Sequence, residues 1–142
     1  CVMRTIKARK TCRNELIQLL KNAGLQEGIG LTDQEIENTT KTIFWHGVVR
    51  NPKARNKQNY VSYYFPSIEN KYSADNDDFV REVMVAIDVF SKRSFDAKAN
   101  LDLLELLEDT FKDNGFEVEF ADEIFETETS LFHYPITIYK LY

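Results

Sequence analysis

The sequence predicts an α+β fold: one domain spanning residues 1–142, a mainly antiparallel mixed β-sheet flanked by two principal α-helices. Three observations predict it. Val83, Val85, Ile87 and Val89 alternate with a mixed set (Glu82, Met84, Ala86, Asp88, Phe90), the period of a strand with one face committed to a core. Leu101, Leu104, Leu107 and Phe111 then recur at helical spacing. After Gly115 the alternation returns in two further stretches, residues 116–120 and 131–141.

The first helix is predicted over residues 5–23, with Cys12, Leu16, Leu19, Leu20 and Ala23 on one stripe and Gly24 as its stop. Its basic start (Arg4, Lys7, Arg9, Lys10, Arg13) reads as a solvated face or as a surface for an acidic partner. Residues 25–31 form a connection in which Gly28 and Gly30 lack the ending of a phosphate loop. Thr32 or Asp33 caps a short helical turn over residues 33–38, and residues 42–49 are a strand carrying Ile43, Phe44 and Trp45. Pro52 and the cations Arg50, Lys53, Arg55 and Lys57 mark an exposed loop over residues 50–58. The aromatic strand over residues 60–65 is expected to stop at Pro66, and residues 67–78 to be a polar loop holding Asp75, Asp77 and Asp78.

After the strand centred on Val83–Val89, Ser94 or Asp96 is the expected cap of the second principal helix. Ala97, Leu101, Leu104, Leu107 and Phe111 form its inward stripe, widened by Leu103 and Leu106, and Asn114-Gly115 ends it. The predicted core is therefore Val83, Val85, Ile87, Val89, Leu101, Leu104, Leu107 and Phe111. Residues 121–130 read as acidic and irregular. Pro135, inside the closing strand, lacks a ladder donor and predicts an edge position or a bulge.

Composition narrows the function classes. Hydrophobic content of 43% and charged content of 29% are those of an ordinary globular chain, and the net charge is −5. Residues 1–57 carry a balance of +6 and residues 58–142 one of −11, a polarity suited to a subunit that meets copies of itself or a charged partner. Cys1 and Cys12 make no metal or disulfide pattern and fit a reducing compartment. Nothing predicts a membrane span or a signal peptide, and residues 1–4 read as a disordered or added start.

Catalytic chemistry finds little support. His46 and His133 lie in predicted strands without a nucleophile motif, and the Asp75–Asp78 run lacks the glycine and closing glutamate of a calcium loop. Asp88, Glu117 and Glu119 are the nearest approach to a two-metal nuclease set, but no lysine follows either glutamate by two residues. Residues 50–57 with Tyr60, Tyr63 and Tyr64 could touch single-stranded nucleic acid, against the overall acidity of the chain. No catalytic residue, cofactor or metal ligand is expected.

The order of pieces is informative beyond chemistry. A basic first helix leads to NYVSYYF, then a polar loop, then REVMVAIDVFSK, a leucine-rich helix ending in NG, and ETSLFHYPITIYK. This resembles the tail terminator (tail-completion, tail-to-head joining) proteins of long-tailed bacteriophages. The likeness covers roughly residues 5–142 and is most specific at residues 85–92 and 129–139; residues 24–57 match nothing placed firmly. The resemblance implies a mixed sheet flanked by helices and a non-enzymatic virion protein. That protein forms a hexameric ring on the finished tail tube, stops tube polymerisation and presents a surface for joining the head. Its implied partners are itself, the tail tube protein and the head-completion or connector proteins, with DNA passing through the ring. Its implied location is the tail or neck of the virion, assembled in the host cytoplasm. For the subunit interface the candidates are Arg50, Lys53, Arg55, Lys57, Asp75, Asp77 and Asp78. The alternatives are another neck protein and, more distantly, a small nucleic-acid-binding or nuclease module.

Overall fold

The computed structural model describes residues 4–47, 59–74 and 78–142, with the backbone alone for residues 67–74 and 78–80. The elements in order are α1 (Thr5–Asn22), β1 (Gln26–Glu27), α2 (Asp33–Asn38), β2 (Ile43–His46) and β3 (Asn59–Ala74). They continue with β4 (Asp78–Ser91), α3 (Lys98–Lys112), β5 (Glu117–Phe120), β6 (Ile124–Glu126) and β7 (Leu131–Leu141). The strands make one seven-stranded sheet in the order β1-β2-β3-β4-β7-β5, with β6 also on β7. The β1–β2 and β2–β3 pairs are parallel; every other pair is antiparallel. The fold is α+β, as the sequence predicts.

The main core lies between the sheet and the helices α1 and α3. Ala8, Cys12, Leu16 and Leu20 give α1 a stripe at four-residue spacing, and all four are fully buried. Val83, Val85, Ile87 and Val89 are fully buried in the same cluster, as are Leu107, Phe111, Ile136 and Ile138. Each principal helix ends in the same way. The Gly24 N–H reaches the Lys21 carbonyl while Leu25 N–H reaches Leu20, and Gly115 and Phe116 repeat this with Lys112 and Phe111. Both glycines have positive φ (98° and 85°), which such a terminus requires. Thr32, one of the two expected caps, closes a capping box with Glu35 at the start of α2.

Several expectations are corrected. Leu101 is not core: it is 50% exposed, and Leu106 is also exposed. The position is taken by Asn100, buried four residues before Leu104, whose amide donates to Ser91 Oγ and to the carbonyls of Arg93 and Ser94, each at 3.0 Å. These bonds fix the rotation of α3 and turn Leu101 outward. Neither Ser94 nor Asp96 caps α3; Ala97 holds that position without a side-chain bond.

The aromatic strand does not stop at Pro66. β3 runs through it, with a register shift between Tyr64 and Ser67 that excuses the missing N–H. Residues 67–74 are therefore strand rather than loop, and Asp78 opens β4 opposite Ala74. The last β4 residue paired with β7 is Glu82, which faces Glu69 on β3. Beyond it, Arg81, opposite Asn70, still exchanges both backbone bonds with Tyr142, and from there to Ala74 the two strands form a ribbon of about 14 Å at roughly 3.4 Å per residue. Its polar sequence hid it, because a ribbon standing away from the core needs no apolar alternation.

Pro135 lies at a bulge, one of its two expected places: residues 121–123 stand opposite only Tyr134 and Pro135, because the β5–β7 and β6–β7 registers differ by one residue. It lies in β7 opposite Asp88, and its carbonyl accepts from Ala121 N–H, in the gap between β5 and β6. β5 and β6 are successive pieces of one broken edge strand along β7, and the proline nitrogen falls at the break. The stretch predicted as wholly irregular thus contains β6. Arg4 is placed as the residue preceding α1, in extended conformation.

Candidate interaction face

The face of the sheet opposite α1 and α3 is built from alternate residues of its central strands. Register places Tyr60, Ser62 and Tyr64 of β3 beside Phe90, Asp88 and Ala86 of β4. It places His133, Pro135 and Thr137 of β7 on the other side of the same three residues. Tyr60 stacks on Phe90 with ring centres 4.7 Å apart, and Phe90 stacks on His133 at 4.6 Å. These spacings equal the distance between adjacent strands, so the three rings form a ladder across the sheet. His133 Nε2 lies 2.6 Å from Asp88 Oδ1 and its Nδ1 lies 3.5 Å from Glu126 Oε1. Both imidazole nitrogens therefore face carboxylates.

The sequence candidates separate in space. Asp88 lies on β4 and Glu117 and Glu119 on β5, with β7 between them. Two strand spacings of about 4.8 Å put the carboxylates on opposite sides of β7, not on adjacent strands. Glu119 accepts from the Tyr139 hydroxyl at 3.3 Å instead. Among the described residues no three His, Cys, Asp or Glu side chains gather as metal ligands. His46 is exposed and meets the edge of the Tyr63 ring. Arg50, Lys53, Arg55, Lys57, Asp75 and Asp77 lie outside the described residues, and Asp78 is placed only as the start of β4.

A second surface lies at the β5–β6 edge, on the helix side of the sheet. Phe125 packs on Phe132 with ring centres 4.9 Å apart, and Phe120 and Phe95 both pack on Tyr134. Phe95 is buried, whereas Phe120 and Phe125 are exposed, Phe125 by 51%; Ile124, also exposed, lies opposite His133 on the other face. The break between β5 and β6 is held by Glu123, whose carboxylate accepts from Phe95 N–H and Ser94 Oγ. The sequence gives no sign of this patch. Phe120 and Phe125 are ordinary strand residues until β7 brings them together.

At the opposite end of β7 is a partly buried polar cluster. Lys140 Nζ bonds Glu15, the Asn114 carbonyl accepts from it at 2.8 Å, and it lies over the Phe116 ring. Tyr142 donates to Glu15 Oε2 at 2.7 Å. Burial pushes the neighbouring Cys12 thiol up to about 11. Burial also raises Tyr142, reinforced by its bonds to Cys12 and Glu15. A thiol kept neutral in this way is a packing group, not a nucleophile. Among the described residues no helix is long and apolar enough to cross a membrane. No protein-family model matches the chain, and no curated protein matches it.

Proposed function

We propose that the chain is a structural virion subunit of the tail-terminator kind. In this reading it forms a ring at the head-proximal end of a phage tail tube, ends tube polymerisation and joins tail to head. The observation that carries the proposal is the β3–β4 ribbon. Two strands alone are marginal in water. A ribbon projecting about 14 Å past the sheet gains stability from whatever packs against it, and a ring or tube supplies such neighbours. The half-covered aromatic face with Tyr64 exposed, and the paired His133, fit a contact surface better than a reaction centre.

The test is electron microscopy of tails assembled with and without the protein. Overlong tails, or heads and tails that fail to join, are expected in its absence. Tails of normal length joined to heads overturn the proposal. Complementation with Arg50, Lys53, Arg55 and Lys57 all changed to Glu then asks whether that segment takes part: normal particle yield removes it from the interface.

A further inference from the structure

We propose that the aromatic patch at the β5–β6 edge receives the basic outer side of α1 from a second copy of this chain. The proposal deepens the ring reading by naming the two surfaces that meet. Three observations carry it.

The first is charge. Residues 117–128 hold Glu117, Glu119, Asp122, Glu123, Glu126 and Glu128 and no cation. Residues 4–13 hold Arg4, Lys7, Arg9, Lys10 and Arg13 and no acid. Such opposed patches attract over distance and fix orientation on contact.

The second is apolar chemistry at the middle of each patch. Phe120 and Phe125 stand exposed on the helix side of this edge, backed by Phe132 and Tyr134, with Asp122 and Glu128 exposed in the same segment, while Glu117, Glu119 and Glu126 alternate to the other face. On α1, Ile6 is 68% exposed and shares the outer side of the helix with its neighbour Lys7 and with Lys10, four residues on. Exposed apolar centres rimmed by complementary charge are the anatomy of a protein interface. The aromatic rings also suit cations: within the subunit Arg9 already sits 5.2 Å over the Phe65 ring.

The third is placement. The α1 side carrying Arg9 and Arg13 faces β3, through Phe65 and Tyr63, while the patch lies at the far edge of the sheet beyond β7. One molecule cannot close its own two surfaces on each other. The contact joins two different patches: made reciprocally it closes a dimer, and made head to tail it gives a ring or an open helix. The short, broken, acid-rich edge also disfavours strand-to-strand pairing, which leaves side-chain docking as its mode of contact.

The experiment measures self-association of the full chain by sedimentation velocity up to about 1 mM, at low and high salt. Association is expected at low salt and is expected to weaken as salt rises. Phe125→Ser and Ile6→Ser are each expected to weaken it by about tenfold or more with unchanged melting. Lys7→Glu/Lys10→Glu and Asp122→Lys/Glu128→Lys should each be monomeric alone and should associate when mixed, because each then offers the surface the other lacks. A chain that stays monomeric at low salt overturns the proposal. So does association that persists in the variants, or reversed pairs that fail to associate on mixing. The ring reading fails separately: salt-sensitive association together with normal tails in the absence of the protein keeps this interface and removes the virion role.

Discussion

His133 and Asp88 sit on adjacent antiparallel strands, two residues out of direct register, with Nε2 2.6 Å from Oδ1 and Phe90 stacked on the imidazole. The diagonal is within reach of long side chains on one sheet face, and the pair ties β4 to β7 beside the proline that cannot contribute a ladder bond. Asp88→Asn is expected to destabilise the fold by about 1–2 kcal/mol, measured by urea unfolding. A double-mutant cycle with His133→Gln should return a coupling of about 0.5 kcal/mol or more. Additive single effects would show that the two side chains are merely neighbours.

The rotation of α3 gives a paired prediction. Leu104→Asp places an unpaired charge in the core and should unfold the domain. Leu101→Asp, only three residues away, should change stability by about 0.5 kcal/mol or less, because its side chain already meets water. Thermal melting of the two variants side by side checks the assignment.

Asn100 serves three acceptors from a buried position, so Asn100→Ala leaves Ser91 Oγ and two carbonyls short of a donor. A loss of about 2–3 kcal/mol is expected. Asn100→Leu should not restore it, although it extends the apolar stripe. Recovery of stability in the leucine variant would show that packing, not the amide, sets the helix rotation.

Alkaline stability should report the cluster beneath α1. Burial raises Cys12 from 9.0 in the unfolded chain to about 11 in the folded one, so the neutral thiol favours the folded state. That contribution is whole below pH 9.0 and is lost as pH climbs towards about 11. Tyr142 is raised in the same sense. Melting followed across this range should fall less steeply in Cys12→Ala than in the parent protein. At pH 8 the native thiol should resist alkylation until denaturant is added.

Gly28 lies against the flat of the Trp45 indole, where an added Cβ would come within 2.5–2.6 Å of three ring atoms. Gly28→Ala must displace that ring and should cost about 1–3 kcal/mol. As Trp45 is the only tryptophan, its emission should shift with the displacement. Unchanged emission and stability would mean that the ring moves freely.

The sequence made the periodic elements legible. α1, the inner half of β4 and most of α3 bury one side against a common core, and their apolar spacing records it. Thr32 and Gly115 were readable because capping and left-handed turns need particular side chains. The ribbon beyond Arg81 was not readable, since backbone pairing away from a core imposes no pattern on the residues that make it. Leu101 misled because two leucines three apart satisfy helical spacing equally well, and a buried amide decided between them. The Asp88–His133 pair and the aromatic edge patch arise from strand order, which brings residues 45 positions apart into contact and leaves no local trace.

The position of β7 has a consequence for how the polypeptide is made. β7 separates β4 from β5 and β6, and Tyr142 reaches back to Glu15 in the first helix. While the ribosome has delivered only the residues up to β6, the inner edge of β4 has no partner and the broken edge strand has nothing to lie on. The nascent sheet is thus two fragments, with Val83, Val85 and Ile87 only partly enclosed. Synthesis runs at about 5–20 residues per second, so this open interval lasts on the order of a second. In that time the unpaired β4 edge is the place where a chaperone, or a neighbouring nascent copy, would bind.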